Sequence, residues 1–335
     1  MVSGVRKAGG IWSLRDLSEY RTVERQPLRI GLDEGRELIS APQPSAGGLA
    51  IAQSLLMLQR LPWHQAEPVQ RTHFVVESLR RAYRDRGLLG DPDFVANPTA
   101  QLLEPDYLKR LALTIDPQKA TPSVNLPPAG SWKEGNHTTH FSVLDAAGNA
   151  VAATLSINLP FGAAFTVPGT GVLLNDEMDD FAADVQGANA YGLTGSHANA
   201  IAAGKRPLSS MSPTFIESPG EFASFGTPGG SRIPSMVLLA IIEYLDGQPI
   251  ARWPSVPRYH HQYLPDQIQH EPDTFTPAQI ADLQARGHQL KALDRHYGNQ
   301  QVLFWDKSRR VEAASDPRGI GTSATLPESA HGSAD

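Results

Sequence analysis

The chain of 335 residues is long enough to bury a large core, and 40% hydrophobic with 19% charged residues is the composition of a folded soluble protein. A net charge of -6 without a basic stripe gives no reason to expect a nucleic-acid partner, and the absence of cysteine excludes disulfides, zinc-thiolate sites and a cysteine nucleophile. The longest apolar run, Met236 to Ile242, is far too short to span a bilayer, and no apolar stretch of a signal peptide follows MVSGVRKAGG.

From the N-terminus, Ser13 to Tyr20 reads as a short helix, with Ser13 as its cap and Asp16 three residues on completing a capping-box pattern. Leu28 to Leu32 and Arg36 to Ala41 flank Asp33-Glu34-Gly35 and predict a hairpin. The run from Pro42 to Gly48 breaks the strand, and a helix follows with Leu49, Ala52, Leu55, Leu56 and Leu58 as its apolar stripe. Val69 to about Arg86 predicts a second amphipathic helix. It turns Phe74, Val75, Leu79, Ala82 and Tyr83 inward and presents Arg80, Arg81, Arg84 and Arg86 as a solvated face. Gly90-Asp91-Pro92 ends that unit, and Pro105 to Leu113 predicts a short helix with proline in its first turn. Asp116 to Gly135 is rich in Pro, Gly, Ser and Lys, has no apolar period, and reads as an exposed linker.

Beyond the linker, Thr138, His140 and Ser142 alternate with Thr139, Phe141 and Val143, the period of two that marks a strand. Val151, Ala153, Leu155 and Ile157 alternate in the same way with Ala152, Thr154, Ser156 and Asn158. Ala146-Ala147-Gly148 suits a three-residue hairpin loop, with Gly148 supplying a positive backbone angle. Pairing Asp145 with Asn149 sets His140 opposite Thr154 and Thr138 opposite Ser156, with Asn158 one step beyond on the same polar face. Such a face is either the wet side of an ordinary ribbon or a lining for something polar.

Ala182 to Gly204 is long, rich in Gly and Ala, and aperiodic, a candidate lid. Pro213 to Glu217 and Phe222 to Phe225 predict strands. The run Gly226 to Ser231 then enters a helix with Pro234 in its first turn, ending near Leu245. Thr276-Pro277 caps another helix that stops at Gly287, and strands are expected around Gln289 to Leu293 and Gln301 to Phe304. The polar tail beyond Asp316 is expected to lose order toward Asp335.

Three blocks carry a resemblance: Thr138 to Phe181, KRPLSSMSPT from Lys205, and GTPGGSRI from Gly226. In that order they closely resemble the small subunit of gamma-glutamyltransferases, N-terminal-nucleophile enzymes that cut their own chain before a threonine. GGIWSLRDLSEY, PQPSAGG and the helix ending in GDPDF look like the late part of the same family's large subunit. The resemblance covers nearly the whole chain. It implies an α+β fold, an αββα sandwich in which residues 1–137 and 138–335 are two segments of one structural domain, cut between His137 and Thr138.

The resemblance also assigns roles. Thr138 becomes the nucleophile, its own α-amine acting as base once the cut has made it a terminus. Thr139, on the opposite face, is the second choice. Ser156 is placed to hold the Thr138 hydroxyl, and Asn158 to meet polar atoms of a glutamyl group. Glu177 and Asp180 match acids that hold the substrate's α-amino group, and Ser209 and Ser210 match serines that bind its carboxylate. Read without the resemblance, the acidic run Asn175 to Asp180 is a capped helix start or a solvated turn, and it lacks the Asp-x-Asp-x-Asp-Gly spacing of a calcium loop. Gly229 and Gly230 let backbone N–H groups approach a developing oxyanion ahead of a helix N-terminus; on their own they are a tight turn. His260 and His261 are read as structural, since one tandem pair makes no metal site.

The implied function is gamma-glutamyl transfer or hydrolysis on glutathione and related compounds, needing no cofactor and no metal. Alternatives are a related amidohydrolase, such as a cephalosporin-type acylase or a poly-glutamate hydrolase, or a catalytically silent scaffold. Implied partners are a small-molecule donor, an amino acid, peptide or water as acceptor, and the other fragment of the cut chain. Family precursors begin with a further long segment that supplies strands, helices and an arginine for the glutamyl carboxylate, so the fold is expected to be incomplete at its N-terminal side or completed by a separate segment. Relatives are usually exported, which implies a periplasmic or extracellular site.

Overall fold

The computed structural model describes residues 1–126, 138–182, 196–308 and 310–326. His137 and the expected cut, the end of the expected linker, most of the expected lid and the last nine residues lie outside them.

The chain opens with α1 (Val2–Lys7) and α2 (Leu14–Glu19), where Ser13 and Asp16 form the reciprocal capping box that their spacing predicts. β1 (Leu28–Gly31) and β2 (Glu37–Ser40) make the expected hairpin. α3 (Gly47–Leu58) is buried almost all round and not along one stripe: Gln53 and Ser54 lie inside with the apolar residues, and Leu56 is only half-buried. The Gln53 amide nitrogen is satisfied there by donating to Asp85 Oδ2 at 2.8 Å and to the Leu102 carbonyl at 3.0 Å.

α4 (Pro68–Arg86) overturns the expectation of a solvated arginine face, since Arg80, Arg81 and Arg86 are 2%, 0% and 2% exposed. The period identified the apolar side correctly, but the opposite side packs against other parts of the chain. Arg81 reaches Glu77 at 2.7 Å, and Arg80 pairs with Glu77 and Asp266. Burial alone would raise the Glu77 carboxyl, yet the two arginines hold it down at about 2. Two short helices follow, α5 (Thr99–Leu102) and α6 (Pro105–Leu113).

The supposed linker is also packed over its first part. Arg81 donates to Thr121 Oγ1, the Ala120 N–H donates to the Arg286 carbonyl at 2.7 Å, and Ser123 is buried against Arg80, Asp266 and the Tyr263 carbonyl. Polar bonds with distant residues order a stretch that has no apolar period of its own.

β3 (Thr138–Leu144) and β4 (Ala150–Ser156) pair in the predicted register, with Thr138 opposite Ser156 and His140 opposite Thr154. Gly148, at φ +87°, closes the turn. β5 (Thr214–Ser218), β6 (Glu221–Gly226), α7 (Ile233–Leu245) and α8 (Pro277–Ala285) fall where expected. β9 (Leu290–Ala292) and β10 (Gln301–Asp306) do too. The short strands β7 (Tyr259–His260) and β8 (Ile268–His270), and β11 (Val311–Ser315), were not legible in the sequence. β7, β8 and β9 form a small separate sheet.

The main sheet is antiparallel in the order β1-β2-β5-β6-β10-β11, so strands from before and after residue 137 share it. The period of two sorts its faces. Ala223, Phe225, Val302 and Phe304 enter the core beneath α3, α4 and α7, whereas Ser224 and Gly226 face the β3–β4 hairpin. The layers are therefore helices, sheet and hairpin. The hairpin's polar face is the inner one, and its apolar face is open: Phe141, Val143, Val151 and Leu155 are 47%, 51%, 51% and 53% exposed.

Two measurements test this picture. Glu77→Ala leaves two buried guanidinium groups short of their counter-charge and is expected to cost about 3–5 kcal/mol in chemical denaturation. Burial holds His140, His260, His261 and His288 neutral, with pKa values lowered to about 4, 3, 4 and 3. Because each binds its proton more readily in the unfolded chain, stability is complete above the unfolded value near 6.5 and is expected to fall from there toward pH 4, by about 1.5 kcal/mol per histidine between pH 6.5 and pH 5.

Candidate active site

Thr138 begins β3, and its Oγ1 donates to Ser156 Oγ at 3.3 Å directly across the hairpin. Ser156 Oγ also accepts the Asn158 N–H at 2.9 Å. Asn158 lies just past the end of β4 at φ +67°, a left-handed conformation that Asn tolerates better than most side chains, so the backbone leaves the strand and turns the residue inward. Its Nδ2 donates to the Asp176 carbonyl at 3.3 Å, and Asp176 Oδ1 accepts the Leu159 N–H at 3.0 Å. These bonds bring the acidic run back beside the hairpin.

The run forms a single 3-10 turn, Glu177–Asp180, entered by the Glu177 N–H donating to Asn175 Oδ1 at 3.0 Å. Burial first, and then the neighbouring Glu177, push the Asp180 carboxyl up to about 8, against the opposing pull of Arg86. Asn199 stitches this turn to the serines: Nδ2 donates to the Asp180 carbonyl at 2.7 Å, and Oδ1 accepts the Leu208 N–H at 2.9 Å.

Ser209 is held by a reciprocal backbone pair. Its N–H donates to the Pro44 carbonyl and its own carbonyl accepts the Ala46 N–H, each at 2.8 Å. The Pro42 to Gly48 turn, read from sequence as the break between strand and helix, is thus tied by its backbone to the segment that carries Ser209. Gly47 permits this approach, because a Cβ there would sit 1.9 Å from Ser212 Oγ. Ser210 Oγ accepts from Arg86 Nη2 at 3.1 Å.

The structure brings Thr138, Ser156, Asn158, Glu177, Asp180, Ser209, Ser210 and Gly230 around one small cleft, with Met211 and Ile233. Gly229 stands one residue behind it. At φ +145° Gly229 packs toward Met236, whose Cε a Cβ would meet at 2.4 Å. The Tyr83 hydroxyl holds this loop from behind by donating to the Ser231 carbonyl. His260 and His261 sit in the core, bonded to Ser235, Gln262 and Asp266. A wider surface cleft lined by Tyr20, Arg25, Pro44 and Arg206 contains none of these residues, and its arginines are engaged by Asp91 and Asp93. Among the described residues no three His, Asp or Glu side chains could hold a metal ion, and no helix is long and apolar enough to cross a membrane.

Beneath Thr138 the His140 ring joins hairpin to sheet. Nδ1 contacts Thr154 Oγ1 at 2.8 Å and Nε2 contacts Ser142 Oγ at 3.1 Å, while Ser142 reaches Ser224 at 2.8 Å. The ring lies flush on Gly226, where a Cβ would come within 2.1–2.4 Å of it. Sequence reasoning missed Arg86, Tyr83 and Asn199. Arg86 had been placed on the wrong side of its helix, and the Asn199 signal, a lone amide in a Gly- and Ala-rich loop, is too weak to read.

The gamma-glutamyltranspeptidase family model matches residues 1–326. A glutathione hydrolase proenzyme of Pseudomonas sp. (strain A14) is 42% identical over 83% of this chain and 49% of its own length. One of Escherichia coli (strain K12) is 39% identical over 94% of this chain and 55% of its own. The chain thus spans about half the length of these curated relatives. Cephalosporin acylase from Bacillus halodurans shares the fold, with a TM-score of 0.80 at 24% identity over 96% of this chain and 57% of that one.

Gly226→Ala is expected to force the His140 ring off β6 and to cost about 1–3 kcal/mol, read as a lowered thermal midpoint.

Proposed function

Because the chain belongs to the gamma-glutamyltranspeptidase family, we propose that it carries the catalytic cleft of an N-terminal-threonine acyl transferase or hydrolase acting on glutathione and other gamma-glutamyl compounds. The observation that carries the reading is the cleft itself: the Thr138 hydroxyl, bonded to Ser156, shares one small cleft with two acids and two serines.

The chemistry begins with the chain as its own substrate. Thr138 Oγ1 adds to the carbonyl carbon of His137, the C–N bond breaks, and the acyl group passes to oxygen. Water then hydrolyses that ester and leaves residue 138 with a new α-amine; both curated relatives are named proenzymes, which supports such a step. In turnover the amine takes the Thr138 hydroxyl proton as Oγ1 attacks the gamma-carbonyl. Gly230 and its neighbour Gly229 suit the part of backbone N–H donors to the resulting oxyanion, where removal of a single such donor costs about 10²–10³ in rate in another enzyme. The amine of the departing group takes the proton, leaving a gamma-glutamyl ester on Thr138, and water or an amino acid then accepts the acyl group. Glu177 and Asp180 suit the substrate's ammonium, and Ser209 and Ser210 its carboxylate. Nucleophile, base and oxyanion donors all come from the polypeptide, so the scheme calls on no cofactor.

The open apolar face of the β3–β4 hairpin supports a second reading, in which the cleft becomes active only when a further segment covers Phe141, Val143, Val151 and Leu155. Intact mass after incubation separates the two. Fragments 1–137 and 138–335, abolished by Thr138→Ala and accompanied by release of nitroaniline from gamma-glutamyl-p-nitroanilide, are the expected result. An uncut chain that is cut only on co-expression with the other half of a relative favours the second reading, and wild-type activity in Thr138→Ala would sink the nucleophile assignment.

A further inference from the structure

The two acids and the two serines of the cleft hang from different parts of the fold. The acidic turn is tied to the hairpin, with Asn158 Nδ2 donating to the Asp176 carbonyl and Asp176 Oδ1 accepting the Leu159 N–H. The serines are tied to the Pro42 to Gly48 turn through the paired backbone bonds of Ser209 with Pro44 and Ala46. Asn199, 3% exposed, joins the two segments directly with one side-chain amide: Nδ2 donates to the Asp180 carbonyl at 2.7 Å and Oδ1 accepts the Leu208 N–H at 2.9 Å. The partners fix which way round the amide stands, since a carbonyl needs a donor and an N–H an acceptor. The turn that carries Asn199 is itself anchored. Ser196 Oγ donates to the Gly87 carbonyl and Lys205 Nζ to the Ala198 carbonyl, each at 2.7 Å, and a Cβ on Gly90 would come within 2.2 Å of the Ala198 oxygen.

We propose that Asn199 is a positioning residue that sets the spacing between the acidic and serine halves of the cleft and so makes the cleft selective for the head of an α-amino acid. The inference rests on the gamma-glutamyl reading, in which Glu177 and Asp180 take the ammonium and Ser209 and Ser210 the carboxylate. Both groups of such a head hang from one carbon. A ligand therefore gains from both subsites at once only if their separation is held to within about 0.5 Å. A planar amide spans that separation with donor and acceptor on one rigid group, so no rotatable bond lies between its two contacts. An asparagine that only stiffened a loop could make both bonds within one segment, whereas here one bond goes to each side of the site. A ligand with one head group needs one subsite alone, and each subsite keeps its own support without Asn199.

The test measures binding to the purified full chain by calorimetry with three acids: L-glutamate, glutarate, which lacks the ammonium, and 4-aminobutyrate, which lacks the α-carboxylate. The weaker ligands are read by competition against L-glutamate. The wild type is expected to bind L-glutamate more tightly than either single-headed acid by about tenfold or more, the scale of a hydrogen bond to a charged group. In Asn199→Ala that advantage should fall below about threefold, while glutarate and 4-aminobutyrate stay within about threefold of their wild-type affinities. Asn199→Asp keeps the size of the side chain and the acceptor for the Leu208 N–H but loses the amide donor to Asp180. It is judged by the same criterion should Asn199→Ala not fold. Weakening of all three acids in equal proportion would mark a fold-supporting role and overturn the proposal. So would the wild-type advantage surviving in the folded variant, which leaves the cleft assignment standing. No saturable binding of L-glutamate to the wild type, or binding no tighter than that of the single-headed acids, overturns the reading of the cleft and the inference with it.

Discussion

Thr138 stands opposite Ser156 because the Asp145–Asn149 turn leaves the two hairpin strands no other pairing. A slip of one residue would send Thr138, His140 and Ser142 to the open side and bury Phe141 and Val143 in their place. The rest of the cleft is referred to this register. Ser156, once fixed, accepts the Asn158 N–H; Asn158 then draws in the Asp176 carbonyl, and the acidic turn follows. His140 locks the register against the sheet. Its ring needs the bare backbone of Gly226 beneath it and the hydroxyls of Thr154 and Ser142 at its edges.

The second support is ionic and lies behind the cleft. α4 carries Arg80, Arg81 and Arg86 into the interior, where each charge must be matched or it is not tolerated. Glu77 and Asp266 match the first two and tie residues before and after position 137 together at Ser123. Arg86 differs in that it reaches the candidate site, where it donates to Ser210. The helix thus ties the core together along most of its length and meets the candidate site at its last residue.

Family membership and the exposed hairpin face belong to one physical picture. Four large apolar side chains, each about half open, cover the outside of the layer that carries Thr138. Removing such a face from water is worth about 25 cal/mol per Å². A covering segment would therefore steady the strand that carries Thr138.

Short-range rules made much of the molecule legible. Ser13 with Asp16 and Thr276 with Gln279 form capping boxes, Gly148 closes its turn, and the period of two in β3 and β4 sets the pairing. These depend on residues a few positions apart, so the sequence by itself determined them, along with the absence of any cysteine chemistry. Residues far apart in the chain were beyond it. Periodicity gave α4 its apolar side but not the packing on its other side, so Arg86 read as solvent-facing. Composition made a linker of Asp116 to Gly135, because Asp266, Tyr263 and Arg286, which order its first part, lie more than a hundred residues away. Tertiary structure alone decided that the hairpin's polar face points inward, since only the packing of β3 against Ser224 and Gly226 distinguishes a wet ribbon from the lining of a cleft.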